Sequence, residues 1–244
     1  MRQAALVAQS RIELLLTVRR SESLVVTFGI PIGVLVFFAE VDAANTTLAD
    51  PIQFLVPGVL ALAVMSTAMV SLGIATGYER RYGVLKRLGS TPLSRGGLLA
   101  AKTVNVLLIE VVQAAIVIAV GLTLGWDVPA ERIGPAVVLL LVGTVAFAGI
   151  GMLLAGTLRA EANLAVANAL FLFLLFFGGM AYPLSRLPGP LESVARLLPA
   201  AALAESVRDA LTPGGAFLSG SVLVLVVWAV AAPMLATRLF RWEE

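Results

Sequence analysis

Long apolar runs alternate with short polar segments along this chain of 244 residues. Six of the runs approach the roughly 20 apolar residues that a helix needs to cross the hydrocarbon core of a membrane. Pro31, Pro57 and Pro233 lie inside three of them and are expected to kink a helix rather than end it, because neighbouring groups satisfy the freed carbonyls. The pattern predicts an all-α membrane protein, a single domain over 1–244, with six transmembrane helices over 24–38, 54–76, 98–122, 135–158, 163–180 and 217–239.

Two segments outside these runs have amphipathic patterns. Residues 1–22 carry small and apolar residues at helical spacing, which predicts an N-terminal helix lying in the membrane interface. The first turns of a longer helix leading into span one are the alternative. Residues 181–215 combine prolines with apolar faces and the i, i+4 pair Glu192 and Arg196, which predicts two short helices in or on the outer membrane surface. A solvated loop is the alternative, and the density of apolar residues disfavours it.

Composition narrows the possible chemistry. Hydrophobic residues make up 59% of the chain and charged residues 13%, with a mean hydropathy of +0.98, whereas a soluble domain carries about 25% charged residues. The chain has neither Cys nor His. A disulfide framework, a thiol nucleophile, a Cys/His metal site and an imidazole acid–base catalyst are therefore excluded. We expect no catalytic residue, no metal site and no enzymatic activity of its own.

Basic residues favour one side of the predicted bundle. Four of the 17, Arg132, Arg186, Arg196 and Arg208, lie on one side. The positive-inside rule places the more basic side in the cytoplasm, which predicts a multi-pass plasma-membrane protein with both termini cytoplasmic. The 13 residues on that side are Arg2, Arg11, Arg19, Arg20, Arg80, Arg81, Lys86, Arg87, Arg95, Lys102, Arg159, Arg238 and Arg241.

The run YERRYGVLKRLGSTPLS, residues 78–94, is a basic segment between two apolar spans. Counted as one helix at 100° per residue, it gathers two tyrosines and two leucines on one side and Glu79, Arg80, Lys86 and Arg87 on the other, with Arg81 as an exception. Gly89 would end this helix, and Thr91 with Pro92 would begin the next.

Three functions fit such a helix. It could anchor the chain on anionic lipid, bind nucleic acid, or dock a cytosolic partner. The patch is short and no recognition motif accompanies it, so nucleic-acid binding is disfavoured. The pattern alone does not separate the anchor from the docking element.

The same run resembles the signature of ATP-binding-cassette exporter permeases of the type-2 class. Its pattern is ER-x-x-G-x-L-x-x-L-x-x-TPLS. FLVPGVLAL at 54–62 and the proline-rich segment near 182–211 resemble two further parts of that family in the same order. Arg81 departs from the family, which more often has an acid there, and so does Ala200-Ala201. The residues that carry the signature are Glu79, Arg80, Gly83, Leu85, Leu88, Thr91, Pro92, Leu93 and Ser94.

The resemblance implies a permease subunit of an ATP-driven exporter. It implies a dimer, of like or unlike permeases, with two cytosolic ATPase subunits that hold the ATP and Mg²⁺; no GxxxxGK phosphate loop occurs in this chain. Drug-like or lipid-like cargo is implied, with glycan export as the alternative; a non-transporting scaffold or receptor is an alternative of another class. The implied contacts to the ATPase, on a coupling helix at 78–91, are Glu79, Arg80, Arg81, Tyr82, Gly83, Leu85, Lys86, Arg87, Leu88, Thr91 and Pro92.

Five residues inside the spans are candidates for the translocation path. Glu110 is the only ionisable residue near the middle of a span, and it is expected to be protonated or bonded to Gln113 or to a hydroxyl on another span. A purely structural role between helices is preferred for it over a proton or cation site. Flexible thioethers and aromatic rings suit varied apolar cargo, but most such residues only pack. The candidates are Met65, Met69, Glu110, Phe173 and Phe177.

Overall fold

A computed structural model describes residues 29–37, 39–40, 50–89, 95–215 and 217–241. The predicted interfacial helix at 1–22, the first residues of span one, and Thr91 with Pro92 lie outside the described residues. The described part of the chain is built from helices and turns.

The described helices follow the apolar runs closely. Five of them are long and apolar enough to cross a membrane: α2, α4, α5, α6 and α9. Residues 29–37 of the first predicted span are also helical, and the helices continue through Pro31, Pro57 and Pro233 as expected. The helices are α1 at 29–37, α2 at Pro51–Arg81, α3 at Val84–Gly89, α4 at Arg95–Thr123, α5 at Ala130–Thr157, α6 at Ala160–Phe177, α7 at Gly189–Ala195, α8 at Pro199–Leu211 and α9 at Gly220–Leu239.

Helix α2 is the central helix of the bundle. Asp50 caps its N-terminus by accepting a hydrogen bond from the Gln53 amide at 3.4 Å, and Pro51 occupies the first turn. In its most apolar window 83% of residues are buried, against 28%, 28% and 22% in α4, α6 and α9. The latter three helices therefore present most of their surface outward. Midway, Met65–Ser71 winds as a π-helix, a widened turn that is frequent at functional sites.

Glycines on α5 allow it to pack closely against its neighbours. A Cβ atom on Gly151 would lie 2.6 Å from the backbone oxygen of Met69 in α2. A Cβ atom on Gly149 would lie 2.5 Å from the backbone nitrogen of Pro233 in α9. Association of membrane helices depends on such close approach, because lipid provides no hydrophobic drive between helices. Helix α5 thus joins α2 and α9 into one core.

The two short helices predicted within 181–215 are present as α7 and α8. Helix α8 buries its apolar residues against α2, α5 and α9, so it is part of the bundle rather than a solvated loop. Arg196 pairs with Glu192 at 2.8 Å and with Glu205 at 2.9 Å, which ties α7 to α8. These two pairs raise the pKa of Arg196.

Arg208 fixes the start of α2 beneath α8. Its guanidinium lies 3.7 Å from the centre of the Phe54 ring and donates to the Gly179 carbonyl at 3.1 Å. Burial lowers the pKa of Arg208 to about 10, so the side chain stays charged at neutral pH and the cation–π contact is retained. We refer to this side of the bundle as the α8 end and to the opposite side as the α3 end.

Candidate functional site

The prediction that residues 78–89 form one helix is wrong, because the chain breaks at Tyr82 and Gly83. Helix α2 ends at Arg81, Gly83 has a φ of 72°, and α3 begins at Val84. Glycine adopts this left-handed conformation at no steric cost, which makes it the usual residue just after a helix. The Gly83 amide donates to the Arg80 carbonyl at 3.0 Å and closes the turn. The predicted apolar stripe therefore does not run along one helix face.

The break places the apolar residues of the segment in different environments. Leu85 is 0% exposed and belongs to the hydrophobic core of the bundle. Tyr82 is 71% exposed, and its ring stacks on Tyr78 with 6.2 Å between ring centres. Leu85 thus anchors α3 to the bundle instead of presenting a docking side chain. The outward residues are Tyr82, Val84, Lys86 and Arg87, which we call the elbow surface.

Glu79 and Arg80, predicted on the polar side of the helix, point into the protein. The Lys102 ammonium on α4 lies 2.8 Å from Glu79 Oε2, and the Lys102 side chain is 2% exposed. Arg80 is 4% exposed and donates from Nη2 to the Leu158 carbonyl at the end of α5. These charges therefore fasten α2 to α4 and α5 rather than facing a partner.

Helix α6 is also fastened to the same end of α2. Asn163, fully buried, donates from Nδ2 to the Gly73 carbonyl at 2.8 Å. Arg81 forms an exposed ion pair with Glu161, and exposed pairs of this kind contribute at most about 1 kcal/mol. The buried contacts matter more. We call Glu79, Arg80, Lys102 and Asn163 the α2 clasp.

A second group of buried polar side chains lies in the middle of the bundle. Thr144 of α5 lies with its Oγ1 2.5 Å from Glu110 Oε2 of α4. Thr67, within the π-helical turn of α2, donates to Gln113 Oε1 at 3.0 Å. The expected bond between Glu110 and a hydroxyl on another span is therefore present.

Comparison with known proteins identifies the family. The family model described as ABC-2 type transporter matches residues 5–212, most of the chain. The chain belongs to the ABC-2 type transporter family. A curated relative, "Putative transport permease YvfS" of Bacillus subtilis (strain 168), is 24% identical over 220 residues, covering 88% of each chain. Members of this family generally work as dimers with an ATPase subunit.

The five path candidates of this ABC-2 permease do not line one surface. Met65 and Met69 are 0% exposed and pack in the core beside α5. Phe173 is exposed on α6 and packs against Phe177 with 4.9 Å between ring centres. Glu110 is buried between α4 and α5. Of these five candidates, Phe173 is the one with an exposed side chain, and Phe177 packs beside it.

Two members of the α2 clasp were not among the residues predicted from the permease sequence. Lys102 interrupts an apolar run within the first turns of α4, and a lysine at such a position normally needs a nearby acid. The sequence therefore indicated that Lys102 has an acidic partner, but it did not show that the partner is Glu79. Asn163 gave no distinguishing pattern. Among the described residues, no cluster of acidic side chains could hold a metal ion.

Proposed function

We propose that this permease is the membrane subunit of an ATP-driven exporter and that the elbow surface docks a separate cytosolic ATPase. The observation that carries the proposal is the exposed group of one aromatic, one β-branched and two cationic side chains where α2 joins α3. Aromatic and Arg residues are enriched where protein interfaces are energetically strongest. The two cations would favour an acidic cleft on the partner and set its orientation.

The length of α2 supports a projecting elbow. Its 31 residues span about 46 Å, whereas the hydrocarbon core of a membrane is about 30 Å thick. One end of α2 must therefore extend past the core, and the run YERR at the α3 end is the polar one. The basic residues at that end favour a cytoplasmic location under the positive-inside rule, which supports the proposal.

The α2 clasp supplies a path for mechanical coupling. A force applied to the elbow surface acts on the end of α2, which the clasp joins to α4, α5 and α6. We propose that ATP binding and hydrolysis in two ATPase subunits shift the elbows of two permease copies, and that the spans reorient together. Because packed cores are not continuously deformable, a small shift at one end can be converted to a change of arrangement.

The proposed cargo is drug-like or lipid-like. The exposed rings of Phe173 and Phe176 on α6, with Phe177 beside them, suit an apolar molecule better than a sugar chain. Glycan export remains the alternative. A membrane scaffold whose elbow binds a partner other than an ATPase is the alternative of another class.

Copurification from the native membrane tests the docking proposal. The tagged wild type is compared with the double variant Lys86→Glu/Arg87→Glu and with Tyr82→Asp, since all three positions are exposed. Leu218→Asp is the matched control, because Leu218 is 82% exposed near the α8 end. Bound ATPase subunit and vanadate-sensitive ATP hydrolysis are measured.

We expect both elbow variants to lose the ATPase and its activity while they remain in the membrane, and the control to keep both. Retention of the ATPase by both elbow variants would refute docking at this surface. The glycan alternative would be favoured by two results together. The ATPase binds the wild-type permease but the complex exports no apolar dyes, and deletion of the permease gene abolishes glycan export. A partner without ATPase activity would favour the scaffold.

A further inference from the structure

Glu110 and Thr144 form a polar contact in the membrane interior that the docking proposal does not use. Glu110 is 8% exposed and Thr144 is 0% exposed. Thr144 Oγ1 lies 2.5 Å from Glu110 Oε2 and also 3.0 Å from the carbonyl of Leu140, one turn earlier on α5.

The single hydroxyl hydrogen of Thr144 faces two oxygens, Glu110 Oε2 and the Leu140 carbonyl oxygen. A threonine hydroxyl has one hydrogen to donate and can accept through its lone pairs. Helical threonine commonly donates to the carbonyl four residues earlier, and 3.0 Å is an ordinary length for that bond. If Thr144 donates to Leu140, the hydrogen between Thr144 and Glu110 must come from the carboxyl group. Glu110 then carries a proton.

The other carboxyl oxygen leads to the same conclusion. Glu110 Oε1 is buried and has no hydrogen-bond partner among the described residues. An ionised carboxylate would keep two strong acceptors in an apolar interior, one of them unsatisfied, which is costly. A neutral carboxylic acid that donates through Oε2 leaves only one weak carbonyl acceptor unsatisfied.

Charged groups on the helices packed against α4 lie too far from Glu110 to replace the proton. Lys102 is two turns away on α4, about 12 Å by helix rise, and pairs with Glu79. Arg132 precedes Thr144 on α5 by about 18 Å. The titratable groups at or beside the ends of the packed helices are Asp50, Tyr78, Glu79, Arg80 and Arg81 for α2, Glu131, Arg132 and Arg159 for α5, and Arg238 and Arg241 for α9.

We propose that Glu110 is a proton-binding site and that its bound proton joins α4 to α5 through Thr144. One turn further along α4, Gln113 accepts from Thr67 in the π-helical turn of α2. The proton therefore completes a polar junction among α2, α4 and α5. Its release would leave a buried carboxylate and remove the hydrogen that Glu110 donates to Thr144. The site is independent of the elbow surface and of the cargo.

Infrared spectroscopy of the purified permease in lipid at neutral pH tests the protonation state. The carbonyl stretch of a protonated carboxylic acid is separate from that of a carboxylate. We expect this band in the wild type, shifted by ¹³C-glutamate labelling, and lost in Glu110→Gln, which retains a hydrogen-bond donor. Thr144→Val removes the acceptor and should move the band to higher frequency. Thr103→Val is the control, because the Thr103 hydroxyl donates within α4, to the Leu99 carbonyl at 2.9 Å.

Absence of a glutamate-derived protonated band in the wild type would overturn the proposal whether or not any variant folds. A band that survives in Glu110→Gln would assign the proton to another residue and overturn the proposal. A band at unchanged frequency in Thr144→Val would show that the proton does not join α4 to α5, which would also overturn it. A thermal midpoint near wild type in Glu110→Gln and a lower one in Glu110→Leu would support the role of the donor. An equal decrease of the thermal midpoint in Glu110→Gln and Glu110→Leu would contradict the role of the donor.

Discussion

The buried ion pair between Lys102 and Glu79 provides the sharpest test of the α2 clasp. The Lys102 side chain is 2% exposed and the Glu79 side chain 21%, with 2.8 Å between Nζ and Oε2. Removing one partner of a buried pair costs about 3–5 kcal/mol, because the remaining charge is held away from water. Glu79→Gln deprives a fully buried ammonium of its carboxylate, so about 3 kcal/mol is expected. Lys102→Met leaves a carboxylate that water reaches more easily, and about 1–2 kcal/mol is expected.

The double variant Glu79→Gln/Lys102→Met separates pairing from simple burial. Replacement of both charges is often neutral, so we expect the double variant to lose only about 1 kcal/mol, which corresponds to a coupling free energy of about 3–4 kcal/mol. The assay is equilibrium unfolding of all four proteins in detergent, together with copurification of the ATPase. We expect the ATPase to remain bound in every variant, because neither residue is on the elbow surface. Additive losses in the double variant, or a larger loss for Lys102→Met than for Glu79→Gln, would refute the reasoning.

Two further predictions concern packing. Leu85→Asp should destabilise the permease by several kcal/mol, on the order of the cost of an unpaired buried charge, because Leu85 is 0% exposed. If this variant folded normally and lost only the ATPase, the docking stripe that the sequence indicated would be supported instead. The measurement is the free energy of unfolding of Leu85→Asp, compared with that of Tyr82→Asp, whose side chain is exposed. Gly151→Ala should cost about 1–3 kcal/mol by overpacking against the Met69 backbone, whereas Gly134→Ala on the same helix, with nothing within 4 Å, should be neutral or slightly stabilising. Equal thermal midpoints for the two glycine variants would contradict the close packing of α2 and α5.

The sequence alone was sufficient to predict the five membrane-length helices that the structure describes, because the signals for them are local. A chain in lipid must satisfy its backbone hydrogen bonds within each segment, so apolar runs of sufficient length become helices. Accordingly α2, α4, α5, α6 and α9 lie where the runs predicted, with ends shifted by a few residues. The short helices α7 and α8 followed from prolines and helical spacing, which are also local signals.

The tertiary structure alone decided which side of each helix faces inward. A helix that is apolar all round has no stripe to show its orientation, so the burial of Met65 and Met69 could not be read from their spacing. Gly83 interrupts the helix and turns Leu85 inward, which invalidates an angular count carried through the break. The partners of Lys102 and Glu110 lie on other helices, and such contacts depend on how the helices pack. Sequence therefore determined the elements and the family signature, while packing determined which of the predicted site residues are exposed to a partner.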